Sequence, residues 1–110
     1  MVNHVDAERR AQRIAMIRNR LEVEFRGPAI LVDVDPKRYG WDTMVRVPET
    51  PPFHFLRVTD ELLIDENDPR EEYLARAVAL MKANPGAVVL LRDGIEPELD
   101  SSAGQPGGRR

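Results

Sequence analysis

The stretch AILVDVDPKRYGWD, residues 29–42, holds the densest set of side chains able to do chemistry in this chain. Asp33 and Asp35 stand two apart at the end of an apolar run. In an extended chain alternate side chains share a side, so the two carboxylates would point together and could share a Mg²⁺ ion. Two carboxylates alone make an incomplete Mg²⁺ site, and Asp-Pro is also a common turn opener. A small metal-assisted enzyme using Asp33 and Asp35, helped by Asp42 and His54, is therefore the third of three functional readings. The expectation is that no cofactor and no metal is needed.

The next residues suggest contact with another molecule. Lys37, Arg38, Tyr39 and Trp41 bring two cations and two aromatic rings onto one loop. Aromatic area with steering charge is what a protein-binding or base-stacking surface uses. Against this, the single tryptophan of a small chain is expected to fold back as a plug over the sheet edge, with Gly40 supplying the bend. Elsewhere, Arg9, Arg13 and Arg20 fall near one another on a helix and could each meet a phosphate of a nucleic acid. Glu8, Glu22 and Glu24 on the same helix argue for an ordinary solvated face. The acids between Asp60 and Glu72 lack the glycine that a calcium loop needs, and they read as capping and solubility. If they met the basic face of the first helix on another copy, they could also steer self-association. His54 is expected to be a satisfied strand residue.

Nucleophilic chemistry has little to work with. The chain has no cysteine, which excludes disulfides, thiolate nucleophiles and zinc–cysteine sites together. Its only serines, Ser101 and Ser102, lie far from either histidine in sequence, so no Ser-His-Asp device is visible. No glycine-rich phosphate loop is present.

The elements that must position these residues follow from periodicity. A helix is expected from Asp6 to Arg26, capped by Asp6, with Ala7, Ile14, Ile17, Leu21 and Phe25 along one stripe. Gly27 would turn left-handed and Pro28 would stop it. In AILVDVD, Ile30, Val32 and Val34 alternate with Leu31, Asp33 and Asp35. TMVRV and FHFLRV alternate likewise, and PETPP between them suggests a sheet edge or crossover. TDE reads as a tight turn leading to a short strand, LLID. In NDPREEYLARAVALMKANPG, Asp68 is a natural cap, Pro69 suits the first turn and Glu71 completes a capping box. Leu74, Ala77, Val78 and Met81 then mark the buried stripe of a helix. AVVLL, residues 87 to 91, reads as a central strand covered on both faces.

The order α-β-β-β-(β)-α-β implies an α+β fold. It is a two-layer sandwich of a small, mainly antiparallel sheet of 4–5 strands packed with two amphipathic helices. At 110 residues, one domain over 1–97 is expected, with 98–110, rich in glycine, proline and serine, as a disordered tail. A net charge of −3 gives no global field toward DNA or an anionic membrane. No window approaches the length of a membrane span and no secretory leader is visible, so a cytoplasmic location is expected. Fourteen arginines against two lysines, Lys37 and Lys82, suggest the coding bias of a GC-rich bacterial genome. The leading functional expectation is a non-enzymatic protein–protein interaction or regulatory module that self-associates, as a homodimer, or docks on a protein partner. Nucleic-acid binding by the Arg9–Arg13–Arg20 face and the 37–41 loop is the alternative.

Overall fold

Alternating apolar residues build the middle of the sheet, and helical stripes cover one side of it. A computed structural model describes residues 4–65 and 71–100. The elements are α1 (His4–Phe25), β1 (Ile30–Val32), α2 (Pro36–Tyr39), β2 (Thr43–Val47), β3 (His54–Val58), α3 (Asp60–Ile64), α4 (Glu71–Ala83), β4 (Val88–Arg92) and β5 (Ile95–Leu99). The five strands lie side by side in chain order. All neighbours are antiparallel except β3 and β4, which run parallel because α3 and α4 carry the chain back across the sheet. The α+β expectation is met, with a mixed sheet, mostly antiparallel, and helices packed on it.

Register decides which side chains share a face. Val45 stands opposite Leu56, and Leu56 opposite Val89; Thr43, Val58 and Leu91 form the next row. These strand residues, Thr43 apart, join Ile17 and Leu21 of α1, Leu62 and Leu63 of α3, and Leu74, Ala77, Val78 and Met81 of α4 in one core. Both long helices therefore lie on the same face. The α4 stripe is the one its spacing predicts. Its expected cap, Asp68 and Pro69, lies outside the described residues.

Several expectations need correction. LLID is not a strand: Asp60 to Ile64 form the short helix α3, whose first turn carries Asp60 and Glu61. Its two leucines are buried consecutively, a pattern an alternating strand cannot give. Helix α1 begins at His4, so Asp6 lies within its first turn instead of capping it. Of its predicted stripe, Ile17 and Leu21 are buried, Ile14 and Phe25 half-buried and Ala7 exposed.

The left-handed residue after α1 is Arg26, at φ 53°, and not Gly27. Gly27 is needed for space, since a Cβ there would sit 2.6 Å from the Cβ of Pro48. PETPP marks no edge, because it joins two interior strands; the edges are β1 and β5. The first residues of the tail expected over 98–110 also belong to the fold. Residues 95–99 pair with β4, and Asp100 is buried. Residues 101–110 of the expected tail lie outside the described residues. No helix among the described residues is long and apolar enough to cross a membrane.

Candidate functional site

The face of the sheet away from α1 and α4 carries the side chains that the core does not use. By register, one row across it is Ile30, Arg46, Phe55 and Val88; the next is Val32, Met44, Arg57, Leu90 and Glu98. Met44 and Val88 are buried by their neighbours, while Ile30, Val32, Phe55 and Leu90 stay half-buried. Neither long helix covers this face. Among the described helices, only the one-turn helix α2 leans over it.

Helix α2 exists because residues 35–40 carry its start and stop signals. Asp35 caps it, accepting a hydrogen bond from the Lys37 N–H at 2.9 Å, and Pro36 suits its first turn. Gly40, at φ 62°, ends it in a conformation that side chains resist. The turn swings Tyr39 beneath Arg57, whose guanidinium lies 4.8 Å from the ring centroid. Arg38 stands over the same ring at 5.6 Å.

Arg57 is the hub of the face. Its Nε donates to Asp42 at 2.7 Å and its Nη1 to Asp100 at 2.8 Å. The side chains of Arg57, Asp42 and Asp100 are 17%, 15% and 4% exposed, so the charges meet largely out of water. Burial by itself works to lower the Arg57 pKa. The hydrogen bonds to Asp100 and Asp42 outweigh it, and the pKa ends above the ordinary arginine value. The hub thereby ties the α2 turn, the strand β3 and the end of β5 together.

Arg46 has a different situation. Its guanidinium stacks on Phe53 at 4.5 Å from the centroid, and Phe53 meets Phe55 edge-on at 6.4 Å. Its Nε is enclosed without an acceptor, and no carboxylate among the described residues pairs with it. The third arginine, Arg92, is bound to Glu98 at 3.0 Å.

The residues picked out from sequence fare unequally. Trp41 is 85% exposed and plugs nothing, because the core closes without it. In sequence it lies between Tyr39 and Asp42, both of which contact Arg57. Lys37, Arg38 and Trp41 are thus exposed beside Tyr39, which meets Arg57.

Asp33 and Asp35 do not finish the strand, which ends at Val32. Asp33 is exposed beyond it and the Asp35 carboxylate is taken by the backbone of α2. No group of three or more histidine or carboxylate side chains among the described residues is arranged to hold a metal ion.

The helix arginines turn inward or sideways. Arg13, 6% exposed, donates to the Leu62 carbonyl at 2.7 Å, and Arg9 donates to the Ile64 carbonyl at 3.0 Å. They satisfy the last turn of α3, whose carbonyls have no partner within that short helix. Arg20 is held by Glu24 and Glu71. His54 is bonded through Nδ1 to the Met81 carbonyl at 2.7 Å and packs on Phe25. What sequence reasoning missed is the open face itself. The signal was present in TMVRV and FHFLRV, where each apolar stripe has an arginine on its opposite side. Compared with protein-family models, with curated proteins and with solved structures, the chain matches none of them.

Proposed function

We propose that this chain is a non-enzymatic interaction module that docks a protein partner on its open sheet face. One observation carries the reading: the two long helices cover a single face of the sheet, leaving half-buried apolar side chains on the other, and Trp41, next to the turn that meets Arg57, is exposed. Large aromatic side chains beside apolar patches are the usual anchors of protein interfaces. Nucleic-acid binding has less support. The rings of Tyr39 and Phe53 are already capped by guanidinium groups, and Arg9, Arg13, Arg20, Arg57 and Arg92 are engaged within the chain.

Self-association is the second reading, favoured by β1. This outermost strand has one unpaired side and the exposed Leu31 at its centre. The test is capture from the source cells with wild-type protein and Trp41→Ala, alongside sedimentation at micromolar concentration. The substitution should leave thermal stability within about 0.5 kcal/mol and should strip at least one protein from the captured set. Emission from Trp41, the single tryptophan, should resemble that of tryptophan in water and shift to the blue when the partner is added. An unchanged captured set, with a monomer in sedimentation, refutes both readings.

A further inference from the structure

We infer that the open face receives an extended acidic-apolar segment of a partner protein, its carboxylate seated on Arg46 and its flanking apolar side chains on Ile30 and Phe55. The inference rests on the interaction-module reading and adds the chemistry of the partner.

Charge comes first. Of the three arginines on this face, Arg57 is answered by Asp42 and Asp100, and Arg92 by Glu98, whereas no acid among the described residues meets Arg46. The unanswered cation sits on β2, the strand next to the edge strand β1, between Ile30 on one side and Phe55 on the other. Those neighbours are about 4.8 Å away in the direction of the ladder, within reach of side chains flanking a single acid. Phe53, stacked at 4.5 Å, holds the guanidinium in place before any partner arrives. A planar cation fixed in advance loses little freedom when a carboxylate binds its fork.

Size and charge then decide among occupants. Five strands about 4.8 Å apart and about five residues long give a face of roughly 24 by 17 Å, about 400 Å². A stable complex between folded proteins covers about 800 Å² on each side, so the face fits one extended segment better than a second copy. A second copy packed face to face about an axis through Arg46 would also bring its own Arg46 to the same place. Residues 101–110, SSAGQPGGRR, have no Asp or Glu and no large apolar side chain, so they match this face poorly.

The test uses two fluorescein-labelled peptides, acetyl-TLTETLT-amide and acetyl-TLTKTLT-amide, titrated with the full chain and followed by anisotropy. The glutamate peptide should bind at least tenfold tighter than the lysine peptide, and added salt should weaken it. Arg46→Glu should invert the order. Should that variant fail to fold, Arg46→Gln, which keeps the size of the side chain, should reduce the discrimination below threefold. Equal binding of the two peptides, or no binding by either at millimolar concentration, overturns the inference and leaves the capture experiment on Trp41 to decide the broader reading. Displacement of the glutamate peptide by decauridylate overturns it in favour of nucleic acid. A dimer in sedimentation that Arg46→Glu dissolves overturns it in favour of a second copy.

Discussion

Replacing Asp100 with alanine tests whether the end of β5 is locked to the sheet by the Arg57 hub. The Asp100 carboxylate is 4% exposed and accepts from Arg57 at 2.8 Å. A hydrogen bond to a charged group contributes about 1.5–3 kcal/mol, and breaking a fully buried ion pair costs about 3–5 kcal/mol. Arg57 would keep Asp42 and the Tyr39 ring, and its side chain is 17% exposed, so the lower part of that range applies. About 2 kcal/mol is the expected loss. Unfolding entropy of about 2.1 cal/mol/K per residue over a chain of this length converts this to a fall in Tm of about 9 °C.

The assay is thermal unfolding followed by circular dichroism, with Glu98→Ala as the comparison. Glu98 also pairs with an arginine, but in an exposed setting, and its removal should cost under about 0.5 kcal/mol. Equal and small effects from the two substitutions would refute the reasoning. They would mean that Asp100 sits beside Arg57 without holding anything.

Two further substitutions probe the fold. Gly27→Ala should cost about 1–3 kcal/mol, read as a lower urea midpoint, because the new Cβ would lie 2.6 Å from a proline Cβ that has no rotamer to escape into. Asp93→Asn concerns the turn between β4 and β5. A hydrogen bond with Asp65, then burial and the charges of Asp65 and Glu61, raise the Asp93 pKa above its ordinary 3.8, and Arg13 offsets only part of this. A raised carboxyl pKa means that stability is fully present below the ordinary aspartate range and is lost as pH climbs through the higher folded value. The asparagine variant should therefore unfold with the wild type near pH 3 and be more stable at pH 7, by about 0.3–0.5 kcal/mol in this exposed setting. A variant less stable than wild type at pH 7 would contradict the assignment.

Where local periodicity carries the information, the sequence was readable. Leu74, Ala77, Val78 and Met81 recur at helical spacing and are all buried; TMVRV and FHFLRV alternate and are both interior strands. The failures share a different cause, which is dependence on distant residues. LLID is short enough to suit strand or helix, and apolar runs of that length are ambiguous on their own. It stands as a helix whose last carbonyls are met by Arg13 and Arg9, 49 and 55 residues away. IEPEL, with its proline and its acids, has no strand signature. Pairing with β4 at the sheet edge, where a proline is tolerated, makes it one, and Arg57 fixes its end from 43 residues away. Trp41 was expected inside because a large ring usually is. The leucines, valines and Met81 left it no place there.

The candidate site was hidden for a related reason. Reading alternation for its apolar half finds the core and discards the other half as solvent-facing. Here the discarded half contains Arg46 and Arg57, two residues of the same type in neighbouring rows of one face. Composition cannot tell them apart, but their partners do. Arg57 is enclosed by two carboxylates and a tyrosine ring, so its charge is spent on joining α2, β3 and the end of β5. Arg46 is held by a phenylalanine ring that restrains it without neutralising it. A cation restrained but unanswered keeps its attraction for an outside anion, and the apolar residues around it make water a poor competitor. On the proposed reading one arginine is structural and the other serves recognition, a difference that composition alone does not carry.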